Sequence, residues 1–154
     1  MKLTKNFSLD EMSKSMTAER LGIDNTPNDE IIKNLKLLCE KILQPLRDEI
    51  GSPIRVSSGY RSPALNTAIG GSSKTSDHIE GLAGDISNPS GDNKLLFDLI
   101  IEMDLPFKQL IWEFGDDKQP QWIHVSVDPL QPKNEVLKAY KKDGRTKYER
   151  INII

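Results

Sequence analysis

A chain of 154 residues, 36% apolar and 29% charged, is long enough to bury a core and too apolar to remain disordered. A formal charge of −2 and a pI near 5.7 give no general basic surface for nucleic acid. The single cysteine, Cys39, excludes an internal disulfide and sits in the apolar-periodic run "LKLLCEKIL", where a core role is expected.

We expect a single domain over residues 1–154. The opening "MKLTKNFSLDEM" lacks the apolar stretch of a secretory signal, so synthesis in the cytoplasm is expected. No run of about eighteen apolar residues occurs, so no membrane span is expected.

Ser8 stands three residues before Glu11, the spacing of a capping box, and predicts a short helix there. "NTPNDEIIKNLKLLCEKILQPLRDEIG" is the clearest helix. Thr26 is the expected cap, Pro27 suits the first helical position and Gly51 the end. Ile31, Leu35, Leu38 and Ile42 form its buried stripe, and Pro45 should kink or interrupt it. "IRVSSGY" reads as a strand and "SPALNTAIGG" as a short helix closed by Gly70 and Gly71. "SGDNKLLFDLIIEM" is a second helix capped by Ser90 or Asp92. "QLIWEFGDDKQPQWIHVSV" reads as two strands joined by a turn-rich loop, and "NEVLKAYKKDG" as a terminal helix from Asn134 to Gly144. The class is α+β: helices packed on a small, largely antiparallel sheet.

Chemistry concentrates around "TSDHIEGLAGDI", residues 75–86. His78 and Asp85 are seven residues apart, a spacing that would place them on one helical face. Gly81 and Gly84 lie between them, and each weakens a helix by about 1 kcal/mol. A turn at Gly81 leading into a strand that begins at "GDIS" fits better, and such a fold-back aims both side chains at one point. A catalytic zinc site usually takes three protein ligands and an open position for water. The other histidine is His124 in "WIHVSV". There Ile123, Val125 and Val127 alternate with Trp122, His124 and Ser126, so His124 points away from the core face.

"SDHIEGLAGD" fits S-x-H-x-x-G-x-A-x-D, and with it the chain resembles the D-Ala-D-Ala carboxypeptidase family of zinc peptidases, peptidase M15. "SGYRSPALNTAIGG" resembles the segment before that motif, and "WIHVSV" the second zinc segment. "FSLDEM", "RLGIDNTP" and "EVLKAYKKDGRTKYERI" look like the subgroup common in bacteriophages and prophages. The resemblance implies the hedgehog/DD-peptidase-like fold. It also implies one zinc ion per chain, held by His78, Asp85 and His124, and a substrate drawn from peptidoglycan stem peptides. Nitrogen and oxygen donors of this kind suit a borderline metal.

Several members of the family carry an acidic residue three positions before the second histidine; here that residue is Gln121, which cannot ionise. Glu113 is the substitute. If Leu110, Trp112 and Phe114 share the core face with Ile123, Val125 and Val127, Glu113 shares the other face with His124. A one-residue slip would bury an unpaired carboxylate, which is costly. Asp116, Asp117 and Asp128 are weaker candidates for the base.

Arg61 matches a family arginine near the substrate, where a guanidinium can grip a carboxylate through two hydrogen bonds. A salt bridge that holds the helix after it is the plainer role. Ser76 matches the motif serine and can orient a ligand, touch substrate or close a local turn. Tyr60 and Trp122 can line the cleft or simply pack, Asn66 reads as structural, and Asp77 complicates the choice of ligand, although its neighbour His78 is the better donor. The resulting expectation is a monomeric zinc peptidase, a carboxypeptidase or endopeptidase of endolysin type, acting on the cell wall for a phage or prophage. The alternative is an inactive zinc-stabilised structural or wall-binding module of a phage particle.

Overall fold

The computed structural model describes residues 1–70 and 76–152. Two short helices open it, α1 (Leu9–Ser13) and α2 (Met16–Leu21). The Ser8 hydroxyl accepts from the Glu11 backbone N–H, as the capping spacing requires.

The long apolar-striped segment is α3 (Asp29–Leu38), a π-helical turn (Cys39–Leu43) and α4 (Gln44–Ile50). Its cap is Asn28, whose side chain accepts from the Ile31 N–H, and not Thr26 with Pro27 at the first helical position. Thr26 is held one turn earlier, where its N–H is taken by the Asp24 carboxylate. Pro45 interrupts the α-helical pattern as expected. It has no N–H, and its ring crowds the preceding turn. The chain widens just before it, with the Gln44 N–H reaching back to the Cys39 carbonyl. Ile31, Leu35, Leu38 and Ile42 are all buried. Cys39 is buried too, and burial, with Glu11 and Glu40 nearby, pushes its thiol up to about 12; it is a core residue and not a nucleophile.

β1 (Arg55–Ser58) leads to α5 (Pro63–Ile69), which ends at Gly70; Gly71 lies outside the described residues. β2 (Ala83–Ser87) is followed by α6 (Asn93–Glu102), capped by Asp92. β3 (Gln109–Glu113) and β4 (Trp122–Ser126) form the hairpin read from the sequence.

The terminal helix is not there. Residues Glu135–Lys142 form β5 and Arg145–Arg150 form β6. Asp143 and Gly144 between them have φ of 53° and 75°, the geometry of a tight hairpin turn. Asn134, read as the helix cap, has φ 52° and instead bends the chain into β5. Tertiary pairing overrides local helical spacing: β5 lies parallel on the open edge of β3, with Leu110 opposite Val136 and Glu113 opposite Ala139. The sheet order is β1-β2-β4-β3-β5-β6, and among the described residues β3–β5 is its single parallel pair.

Leu110, Trp112, Ile123 and Val125 face the helices and join Leu35, Leu38, Ile42, Leu96 and Phe97 in one apolar cluster. The Trp112 ring meets Phe97 edge to face at 5.3 Å. The register is the one that the alternation demanded for Leu110 and Trp112, so the opposite face of β2, β3 and β4 is left largely for polar side chains. Phe114, expected on the core face, is not there: β3 ends at Glu113, a φ of 57° turns the chain, and the Phe114 ring lies 5.5 Å from that of Trp122 on the opposite face.

Candidate metal centre

His78 sits in a 3-10 turn (Asp77–Glu80) begun by Ser76, whose hydroxyl accepts from the His78 N–H. Gly81 closes the turn at φ 73°. A Cβ there would meet Ile31 of α3 at 2.9 Å, so this close turn needs glycine on both counts. Two residues later the chain enters β2, where Asp85 stands directly across from His124 on β4. The fold-back expected from the glycines therefore exists, and strand pairing supplies the third side chain.

His78 Nε2 lies 3.3 Å from Asp85 Oδ1, and His124 Nδ1 lies 3.2 Å from the same oxygen. One ligand atom from each of the three residues can be chosen so that all lie within 4.8 Å of one another. The two imidazoles are 5.2 Å apart at an interplanar angle of 69°. His78 Nδ1 lies 2.7 Å from the Gly59 carbonyl, which can only accept, so Nδ1 carries the hydrogen. That leaves a lone pair on Nε2. This nitrogen is buried, faces a carboxylate oxygen and has no hydrogen-bond partner in the described structure. A buried electron pair turned toward an anion is arranged for a cation, and the donor set suits zinc.

Burial alone would raise the Asp85 carboxyl, but the two imidazoles outweigh it and hold it well below the usual carboxylate range. Glu113 goes the other way. It lies on β3 opposite Trp122, two residues along from the pair Ile111–His124 and so on the same face. Burial is the main cause that pushes its carboxyl up to about 7, with Asp85 adding to it and His124 and Arg61 opposing. Both carboxylates open on one cleft of about 650 Å³, together with His78 and His124.

A family model described as Peptidase M15 matches residues 5–126, most of the chain. The chain belongs to the peptidase M15 family. Comparison with curated proteins finds no match.

In this M15 chain the other sequence candidates separate clearly. Arg61 lines the cleft, and its guanidinium is engaged: Nη2 lies 3.2 Å from Asp85 Oδ2, Nε donates to Ser58 Oγ and Nη1 to Asn66 Oδ1. It thus ties Asp85 to α5, which extends the salt-bridge role weighed for it. Ser76 lines the cleft and caps the His78 turn. Asp77 is paired with Lys108 at 2.9 Å. Trp122 lines the cleft, whereas Tyr60 is buried in the core. Gln121 does not line the cleft, and neither do Asp116, Asp117 or Asp128. Asp116 holds the β3–β4 loop through the Lys118 and Gln119 N–H groups, and Asp117 pairs with Lys138. Sequence reading missed Lys141, Thr146 and Tyr148, which line the cleft from the β5–β6 hairpin. The Asp-Gly turn was the available signal for that hairpin.

Gly59 offers a test of how His78 is held. A Cβ on it would lie 2.2 Å from the Met12 carbonyl oxygen, which already accepts from the Tyr60 N–H at 2.8 Å. Gly59→Ala must push α1 and this loop apart and displace the carbonyl that fixes the His78 tautomer. The expected cost is about 1–3 kcal/mol of stability. A loss of roughly 10–100-fold in zinc affinity should accompany it. Thermal melts and a zinc titration against a competing chelator check both.

Proposed function

We propose that this M15 chain is a zinc peptidase that hydrolyses peptide bonds in peptidoglycan stem peptides, with one zinc held by His78, Asp85 and His124. The observation that carries this reading is the convergence of that trio and a protonatable Glu113 on one cleft. When bound, zinc supplies a Lewis acid for the scissile carbonyl and acidity to the attacking water.

The chain's own residues supply the rest. His78 is oriented by the Gly59 carbonyl, and Asp85 by Arg61. Glu113 is the base: its carboxylate takes the proton from the attacking water, and the resulting acid delivers it to the departing amine. A carboxyl near pH 7 suits both halves of that exchange. Arg61 is proposed to anchor a substrate carboxylate at one end of the cleft, and Ser76 to contact the peptide beside His78. The apolar wall from Ile111 and Trp122 excludes water from one side.

Glu113 also bears on the rival reading of an inactive particle module, which the non-ionisable Gln121 at the family's usual acidic position favours. The base position is met from β3 instead of from the loop before β4. Among the described residues no helix is long and apolar enough to cross a membrane. We place the protein's action at the cell wall, in a phage or prophage setting, as a monomer.

Purified peptidoglycan incubated with the zinc-loaded protein should release peptide or D-Ala, identified by mass spectrometry, and a chelator should abolish release. Intact walls at saturating zinc would sink the proposal.

A further inference from the structure

The β5–β6 hairpin lies beyond residues 5–126, the part that matches the family model, yet it forms a wall of the cleft. Its placement follows from the register. Trp122, Glu113, Ala139 and Tyr148 stand in one row across β4, β3, β5 and β6. Directly paired residues share a face, so Tyr148 is on the same face as Glu113. Between them Ala139 is fully buried and short, which leaves room for the larger ring to lean inward. Partial burial, with the carboxylates of Glu113 and Asp85 adding to it, raises the Tyr148 phenol's pKa, in keeping with a ring turned toward the site.

The next row on this face is Lys141 and Thr146. Lys141 Nζ donates to Thr146 Oγ1 at 3.0 Å and lies 5.5 Å from the centre of the Phe114 ring. Phe114 takes φ 57°, uncommon for a bulky side chain, and its ring lies 5.5 Å from that of Trp122. Backbone strain of this kind tends to collect where a side chain must be aimed.

Charge in the cleft is uneven. Arg61 is paired with Asp85, and Lys108 with Asp77. Among the described residues no carboxylate lies within salt-bridge distance of Lys141. A cation held over an aromatic ring and a hydroxyl, at the end of the sheet opposite Arg61, is placed to receive an anion.

We infer that the β5–β6 hairpin is a specificity wall, on which Lys141 binds a carboxylate of the peptide and Tyr148 packs against the adjoining chain. The favoured substrate is a peptide that carries a carboxylate on the β5–β6 side of the metal trio. This deepens the peptidase reading and rests on it for the direction of the substrate.

The test uses the whole 154-residue chain, metal-free so that nothing is cleaved, and two synthetic stem peptides: one with its internal carboxylate free, one with it converted to the carboxamide. Calorimetry gives a Kd for each. Lys141→Met should weaken the free-carboxylate peptide about fivefold, the upper end for an exposed ion pair, and leave the carboxamide within twofold. Tyr148→Ala should weaken both alike. Both side chains are exposed, so the variants keep the fold. Equal effects of Lys141→Met on the two peptides, no effect on either, or no binding of either to wild type would each overturn the inference. Cleavage by the zinc-loaded protein is scored separately. Turnover without the Lys141 difference sinks only the hairpin assignment; the difference without turnover sinks only the peptidase reading.

Discussion

Replacement of Glu113 by Gln is expected to lower turnover of stem peptides about 10³-fold while zinc remains at one per chain. The amide matches the acid in size and cannot take a proton. None of the metal-capable groups is touched, so loss of activity without loss of metal isolates the proton step. The same variant carries a second, independent signature in the metal-free protein. Burial raises this carboxyl from its ordinary 4.5 to about 7. A carboxylate raised on folding binds more protons in the native than in the unfolded state between those two values. Stability therefore falls as pH rises through that window, and the full burden is present above about pH 7. At roughly 1.4 kcal/mol per unit, the burden is on the order of 3 kcal/mol. Glu113→Gln removes it. At pH 8 in chelator the variant should melt about 5–10 °C above wild type, and at pH 4 the two should coincide. A variant that keeps turnover within threefold of wild type excludes Glu113 as the base. Coincident melts at pH 8 would show that its carboxylate is not desolvated. Gain of stability with loss of function is the expected mark of a group held in an unfavourable charge state for chemistry.

What could be read in the sequence follows the range of the forces involved. The register of β3 on β4 was legible because a slip of one residue would have turned Glu113 into the apolar core and Trp112 to the opposite face. Period two leaves no intermediate choice. The turn at Gly81 was legible because two glycines oppose a helix. The pairing of Asp85 with His124 was not, because it joins residues far apart in the chain and is decided by which strand lies beside β2. Residues 134–144 failed for a related reason. Their apolar spacing tolerates a helix, and the free edge of β3 that recruits them as a strand is invisible locally. Arg61 was assigned to the cleft from its motif, but its ion pair with Asp85 needs both the β1–α5 loop and β2 in place. Thr26 lost the cap to Asn28, a shift of two residues decided by where the Asp24 turn ends.

Asp85 and Glu113 are two carboxyl groups in one cleft with their pKa values driven apart, and in the proposed mechanism that contrast is what divides the ligand role from the base role. The second large effect is therefore expected at Asp85. Asp85→Ala removes one of the three ligand side chains and should weaken zinc binding by more than about 100-fold, beyond what outer partners contribute. It also takes a carboxylate from beside a guanidinium that is only 13% exposed and from between two imidazoles. Loss of one partner from such a buried set costs about 3–5 kcal/mol, so the metal-free variant should already melt 6 °C or more, roughly, below wild type. Added zinc must widen the gap. At about 100 times the wild-type Kd, the metal contributes about 2.7 kcal/mol to wild type and almost nothing to the variant. Asp85→Asn divides the two contributions. Its carbonyl oxygen can still accept from Arg61, so part of the metal-free stability should return, but its weaker donor should not restore zinc. If Asp85→Asn bound zinc within threefold of wild type, the carboxylate would be a support for the imidazoles and not a ligand. The metal would then have to be held by His78 and His124 with help from elsewhere in the cleft, where Asp77 is paired with Lys108 and Glu113 is the other carboxylate, which could then no longer serve as an independent base.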